Sequence, residues 1–194
     1  MNFDFQKDIV LENSRVRLQV LDEDSRPGLL NIAINNPALL RYSPKMIGTE
    51  VEFNDYFNES LLARTAETRY AFSIFDKSNN SYAGSTSLAF VSNKNRRLEI
   101  GWTWIGAKFQ RSGLNRNCKF VLMEYVFDQL KFERLELKTD ARNTQSRCAI
   151  EKIGGKFEGI LRSHILMSDG HRRDTVYYSI LKDEWPDLKS RFRK

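Results

Sequence analysis

Cysteine and histidine are scarce in this sequence. Its 194 residues include two cysteines, Cys118 and Cys148, and two histidines, His164 and His171. Two distant cysteines provide neither a disulfide framework nor a CxxC metal pair, and two histidines do not make a histidine-rich site. We therefore predict a cytoplasmic protein, in a reducing compartment, that binds no metal.

Long hydrophobic runs are also missing. The chain has no run of eighteen apolar residues, so we expect no membrane span. The first residues, MNFDFQKDIVLENS, carry acids and no apolar segment, so we expect no signal peptide. Hydrophobic residues nevertheless make up 41% of the chain, which is enough to bury a core. The length predicts one domain over 1–194, and the basic residues at the end of the sequence predict a tail at 183–194.

The excess of positive charge is modest. A net charge of +6 suits an anionic ligand, but such a charge is common among soluble domains. Acidic residues alternate with basic ones along the chain, and no nucleic-acid recognition motif is present. We therefore predict no specific nucleic-acid partner.

A strand, a basic turn and a helix follow one another between Arg97 and Leu130. Alternating apolar residues over 97–105 predict the strand, and apolar residues three and four apart over 118–130 predict the helix. The turn between them contains Arg111 and Gly113. Its N–H groups and the dipole of the following helix are suited to a phosphate. An ordinary strand-to-helix connection explains the turn equally well.

The rest of the chain predicts a mixed α/β sheet. Strands are predicted at 15–21, 69–76, 82–92, 134–140, 157–167 and 175–181, and helices at about 25–34, 50–66 and 143–153. Short polar turns join the strands that lead into 97–105, so these should be antiparallel. A helix separates 97–105 from 134–140, so these two strands should be parallel, joined by a right-handed crossover. Gly84 predicts a bulge or a close contact inside its strand.

Four segments in this order resemble the GNAT acetyltransferases. Residues 110–115, QRSGLN, resemble the Q/R-x-x-G-x-G/A pyrophosphate loop, with Asn115 where Gly or Ala is usual. Three further segments resemble the branch that acetylates the N-termini of ribosomal proteins, the RimJ/RimL type. They are EIG at 99–101, NTQS at 143–146 with EKIGG at 151–155, and DGHRRD at 169–174 with YSIL at 178–181.

The resemblance covers residues 11–182 approximately, the expected domain core, and it implies the fold and the co-substrate. The fold would have antiparallel N-terminal strands, and a central parallel pair, splayed around acetyl-CoA and flanked by helices. Gly106 would be the place where the two strands begin to separate. The residues implied for binding acetyl-CoA are Trp104, Ile105, Gln110, Arg111, Ser112, Gly113, Leu114, Asn115 and Asn143. The Asn115 side chain would crowd the phosphate and weaken its binding.

Glu99 is the first candidate for the general base of acetyl transfer. It lies on the strand beside the expected reaction centre, where a carboxylate can take a proton directly or through water. It alternates with Trp102 and Trp104 and should therefore face away from them. The alternative is a structural acid paired with Arg96 or Arg97. His164 is the second candidate, because its unperturbed pKa suits a base.

Ser146 is the second catalytic candidate. In the resembling branch, the serine at this position can donate a hydrogen bond to the sulfur of coenzyme A. A helix cap is the alternative role for both Ser146 and Asn143. Many GNAT enzymes have a tyrosine acid seven residues after the asparagine, but this sequence has Ile150 there.

The resemblance implies an N-acetyltransferase that acts on a primary amine, either a protein N-terminus or a small molecule. The alternative is a catalytically weak domain that binds coenzyme A and regulates or scaffolds a partner. The missing tyrosine and Asn115 keep this alternative open. The sequence does not identify the amine and leaves open whether the chain forms a homodimer.

Overall fold

A computed structural model describes residues 1–192 of the chain, which fold around one eight-stranded sheet. Arg193 and Lys194, from the predicted basic tail, lie outside the described residues. Within the described residues, no helix has the length and apolar character to cross a membrane. In the same part of the chain, no three His, Cys, Asp or Glu side chains are grouped to hold a metal ion.

The sheet is antiparallel except at its centre. Its strands are β1 Val10–Glu12, β2 Val16–Val20, β3 Arg69–Asp76, β4 Ser81–Ser92, β5 Arg97–Ile105, β6 Arg134–Asp140, β7 Lys156–Leu166 and β8 Arg172–Leu181. Their spatial order is β1-β2-β3-β4-β5-β6-β8-β7, and only β5 and β6 pair in parallel. The predicted mixed α/β sheet is therefore confirmed. The sequence analysis missed β1, which is too short to show alternation.

Helices cover both faces of the sheet. They are α1 Arg26–Ile34, α2 Glu50–Thr65, α3 Leu114–Glu124, α4 Thr144–Lys152 and α5 Trp185–Phe192. A capping box begins α2: Thr49 Oγ1 accepts the Glu52 N–H at 3.2 Å, and Glu52 Oε2 accepts the Thr49 N–H at 3.0 Å. Such reciprocal bonds satisfy N–H groups that have no partner inside the helix.

Two apolar cores lie on opposite faces of the sheet. The larger contains buried residues of α3, α4 and α5, and the smaller contains buried residues of α1 and α2. Phe3, Trp185 and Leu188 are buried in the larger core. Buried side chains therefore also occur outside residues 11–182, the predicted extent of the domain core. Residues 185–192, which fall within the predicted tail, form α5.

The parallel pair separates soon after it begins. β5 and β6 pair at Arg97 with Arg134, at Leu98 with Leu135, and at Glu99 with Glu136, and no further along. The predicted splaying is therefore present, but it starts directly after Glu99 and well before Gly106. The physical reason is a bulge in β5 at Trp102, whose φ is +49°. The register between β4 and β5 shifts at this point, and such a bulge bends the strand.

The bulge also changes which side chains share a face. An extra residue in β5 interrupts the alternation, so Trp104 joins the smaller core while Leu98, Ile100 and Ile105 belong to the larger one. The prediction that Glu99 faces away from the tryptophans is therefore wrong.

The close contact predicted at Gly84 is confirmed, because a Cβ there would lie 2.0 Å from the Trp104 carbonyl oxygen.

Candidate active site

The separation of β5 and β6 opens a cavity of about 870 Å³ that reaches both faces of the sheet. Nine of the eleven predicted site residues line it: Glu99, Trp104, Ile105, Gln110, Arg111, Gly113, Asn115, Asn143 and Ser146. The other two, Ser112 and Leu114, lie in the same turn but do not line the cavity. His164, the second candidate base, is exposed outside the cavity, and its Nδ1 lies 3.1 Å from Thr175 Oγ1.

The basic turn before α3 is open at its centre. Gly113 has a φ of +82°, a conformation that favours glycine, and a Cβ there would meet no atom within 4 Å. The Ser112 hydroxyl donates to the Phe109 carbonyl at 2.6 Å, and the Gln110 side chain donates to the Ile105 carbonyl at 2.9 Å. These two side chains shape the turn. Helix α3 begins at Leu114, directly after the turn, so its first N–H groups lie beside this open space. Such an arrangement fits a diphosphate.

Asn115 departs from the GNAT loop pattern but adds a polar group to the cavity wall. Its Oδ1 is buried and accepts no hydrogen bond within residues 1–192. A buried oxygen without a donor is costly, so a ligand N–H at this wall would stabilise it. The amide N–H groups of a pantetheine arm have this chemistry.

Asn143 is the N-cap of α4. Its Oδ1 accepts the Ser146 N–H at 3.0 Å. The capping role considered for Ser146 therefore belongs to Asn143, and half-buried Ser146 lines the cavity. Ile150, one turn further along α4, lines the cavity where a tyrosine acid is common in GNAT enzymes.

Glu99 is a buried carboxylate with one cationic partner. Its side chain is 3% exposed, and its Oε2 lies 2.9 Å from Lys138 Nζ. Arg96 and Arg97 pair with Glu133 and Glu136, so the partners predicted for Glu99 are wrong. Burial raises the pKa of Glu99 above the ordinary value of 4.5, although Lys138 opposes this shift. A raised pKa makes a carboxylate a better proton acceptor near neutral pH.

Lys119 is a cavity residue that the sequence analysis missed. It lies in α3, one turn after Asn115, and its Nζ donates to Thr103 Oγ1 at 2.8 Å. Burial lowers the pKa of Lys119 to about 8. The spacing of four residues from Asn115 was the available signal, because it places both side chains on one helix face.

A second group of missed residues lies on the Glu99 side of the sheet. Arg69 and Arg173 line the cavity with side chains that are nearly buried. The Arg69 guanidinium lies 5.1 Å from the Trp102 ring centre and 5.4 Å from that of Tyr56. Charged residues in strands gave no sequence signal of burial, since strand charges are usually solvated.

Comparisons with known proteins agree with this geometry. Residues 15–156 match the family model described as an acetyltransferase (GNAT) domain. "Putative ribosomal N-acetyltransferase YdaF" of Bacillus subtilis is 35% identical over 109 residues, which are 56% of this chain and 58% of that protein. The uncharacterized N-acetyltransferase p20 of Bacillus licheniformis is 28% identical over 114 residues, which are 59% of this chain and 63% of that protein.

The likeness to solved structures covers more of the chain. The crystal structure of a GCN5-related N-acetyltransferase from Brucella melitensis has a TM-score of 0.89 and 28% identity, over 96% of this chain and 85% of that one. The matches to the two curated relatives, by contrast, span less than two thirds of the length of each.

Proposed function

The chain belongs to the GNAT family of acetyltransferases, and from this premise we propose that it moves an acetyl group from acetyl-CoA directly to a primary amine. One observation carries the proposal. The splayed strands β5 and β6 open a continuous cavity that joins the turn at Gly113 to the buried carboxylate of Glu99. A donor bound by its diphosphate at the turn has room to reach the carboxylate.

The turn and the gap would hold the donor. The backbone N–H groups from Arg111 to Asn115 bind the diphosphate, aided by the dipole of α3. The unpaired edges of the two separated strands bind the pantetheine arm, as a sheet edge binds an added strand. Lys119 adds a buried positive charge on the same wall.

The remaining residues would carry out the transfer. Acetyl-CoA, when bound, supplies the acetyl group as a thioester. Glu99 takes one proton from the acceptor ammonium, so that the neutral amine forms the new C–N bond while the C–S bond breaks. The second proton on the nitrogen passes to the departing thiolate, which leaves as coenzyme A thiol. The backbone N–H near Ile105 polarises the acetyl carbonyl, with Trp104 beside it. Ser146 donates a hydrogen bond to the sulfur as it leaves.

The acceptor would be a protein N-terminus or a small amine. The name of the Bacillus subtilis relative includes ribosomal N-acetylation, which supports a protein N-terminus and a cytoplasmic location.

A homodimer is a further prediction, tested by sedimentation. The edge strand β7 presents the exposed apolar residues Phe157, Ile160 and Leu166.

A catalytically weak domain that binds coenzyme A is the second candidate. Ile150 favours it, because an apolar side chain occupies the cavity wall where a tyrosine could supply a proton.

Release of coenzyme A thiol, measured with N-terminal peptides and small amines, tests the two candidates. We expect amine-dependent release with at least one class. Calorimetric binding of acetyl-CoA without release for any amine would favour the second candidate. Absence of binding would contradict both.

A further inference from the structure

Arg173 is a buried guanidinium whose charge is not paired. Its side chain is on the cavity wall, and the residue is 6% exposed. Its Nη1 donates to the Tyr42 carbonyl at 3.1 Å, but its buried Nε has no hydrogen-bond partner. None of the ion pairs among residues 1–192 includes Arg173. Desolvation lowers the pKa of Arg173, and the more distant charges of Asp140 and Glu99 oppose this shift only in part.

The carboxylates nearest to Arg173 already have other partners. Asp140 forms a salt bridge with Arg142 at 2.7 Å, and Glu99 forms one with Lys138 at 2.9 Å. Arg69, which is 8% exposed and lines the same cavity, bonds to Ser60 Oγ at 2.9 Å and also takes part in no ion pair among the described residues.

Positive charge therefore exceeds negative charge around Glu99. Among the residues that line the cavity here, Lys138 pairs with Glu99 and Lys45 pairs with Glu59, which leaves the charges of Arg69 and Arg173 without a carboxylate partner. Buried charges in proteins are normally paired, because an unpaired charge in a poorly hydrated site is costly. The missing negative charge is one that a ligand can supply.

The donor does not account for this charge. Its proposed diphosphate site is the turn at 110–115, which has Arg111, Arg116 and Lys119 on the cavity wall beside it. Arg173 lies instead on β8, at the level where β8 pairs with the end of β7, and its guanidinium bonds to the loop that precedes α2. This position belongs to the acceptor end of the cavity.

We propose that the acceptor is a primary amine that carries a carboxylate, and that the guanidinium of Arg173, which lines the cavity, binds this carboxylate. The inference rests on the proposed function, since it defines the substrate class of the same site. The carboxylate reaches Arg173 while the amine lies beside Glu99, and Arg69 adds positive potential. The same charges disfavour polyamines and other polycationic acceptors.

Two pairs of test acceptors show whether Arg173 binds an α-carboxylate or a side-chain carboxylate. Alanine and alaninamide differ in the α-carboxylate. The dipeptide amides Ser-Asp and Ser-Asn both have a free N-terminus, and only Ser-Asp has a side-chain carboxylate. For the carboxylate member of one pair we expect a kcat/KM about 10- to 100-fold higher, as a charge-assisted hydrogen bond provides.

Variants of Arg173 connect this preference to its guanidinium. Arg173→Gln should bring the ratio within each pair close to one, and Arg173→Lys should retain part of the preference. Arg172→Gln is the matched control, because Arg172 is the exposed neighbour on β8 and bonds to Ser163. Circular dichroism and thermal melting show whether each variant is folded.

The outcomes separate the inference from the proposed function. Turnover with equal kcat/KM within both pairs, unchanged in Arg173→Gln, would overturn the carboxylate inference and leave acetyl transfer intact. If no amine is acetylated, calorimetry of the same pairs with coenzyme A present decides the inference. Tighter binding of a carboxylate member, lost in Arg173→Gln, would support it, and equal binding would overturn it.

Discussion

Lys138 Nζ lies 2.9 Å from Glu99 Oε2, across the two parallel strands at the point where they separate. Glu99 is the last residue of β5 that pairs with β6, and Lys138 follows two residues after its partner Glu136. The ion pair thus lies at the closed end of the gap. The ion pair holds the buried Glu99 carboxylate in the part of the cavity where the proposed donor and acceptor meet.

Replacing Glu99 tests its role as the base. Glu99→Gln should lower kcat by about 100- to 10,000-fold while leaving acetyl-CoA affinity unchanged, because the amide cannot accept the proton. Steady-state thiol release and calorimetry measure the two effects. Glu136→Gln is the control, since Glu136 lies beside Glu99 but does not line the cavity. Equal losses in both variants would contradict a catalytic role for Glu99.

The ion pair should set the acidic limb of the pH profile. Burial raises the pKa of Glu99 above 4.5, so kcat/KM should fall as the pH drops through that raised value. Lys138 lowers this pKa, so Lys138→Met should move the limb to higher pH. A limb at the same pH in Lys138→Met would exclude Glu99 as the titrating group.

Gly113 tests the diphosphate site. Gly113→Glu should abolish acetyl-CoA binding, because it places a bulky anion where the diphosphate lies. Gly113→Ala is the matched control. Both side chains adopt a left-handed backbone at a cost of about 1–2 kcal/mol, so the two variants should lose similar stability in urea. Unchanged calorimetric affinity in Gly113→Glu would count against the site.

Lys119 should make stability depend on pH. Its folded pKa of about 8 lies below the ordinary value of 10.5, so the unfolded chain binds the proton more strongly between these values. Stability relative to Lys119→Met should therefore rise as the pH increases from about 8 to 10.5, by roughly 3 kcal/mol at 1.36 kcal/mol per pKa unit.

Urea unfolding of both proteins across this pH range measures that difference. Parallel stability curves would show that Lys119 keeps its ordinary pKa. Lys119→Met should also weaken acetyl-CoA binding, most clearly below pH 8, where the wild-type ammonium is charged.

Variants of Ser146 and Asn143 should distinguish a catalytic role from a helix-capping role. Ser146→Ala should lower kcat by about tenfold, the equivalent of one hydrogen bond, with little change in melting temperature. Asn143→Ala should cost about 1 kcal/mol of stability, because it removes the cap of α4. A Ser146→Ala enzyme with full kcat would limit Ser146 to packing.

Local patterns predicted the elements that carry the site. The alternation in β5, the glycine turn and the periodicity of α3 are short-range features, and they predicted the strand, turn and helix. The gap between β5 and β6 was expected from the resemblance to the GNAT acetyltransferases. The bulge at Trp102 has no such signal, because a bulky aromatic residue rarely adopts positive φ. The start of the splaying and the orientation of Glu99 therefore depended on tertiary structure.

Buried charges were the other feature beyond local prediction. Arg69 and Arg173 look like solvated residues in the sequence, and only the packing of distant elements shows that they are buried and face one cavity. For the same reason α5 was overlooked. Its basic residues suggested a tail, but Lys189 pairs with Glu124 and Asp128.

A crystal structure of the protein with coenzyme A bound tests the central claim most directly. We expect the diphosphate within hydrogen-bond distance of the N–H groups between Arg111 and Asn115. The pantetheine arm should lie between β5 and β6, with its sulfur beside Ser146 and facing Glu99. Coenzyme A bound elsewhere, or β5 and β6 paired along their full length, would contradict the account.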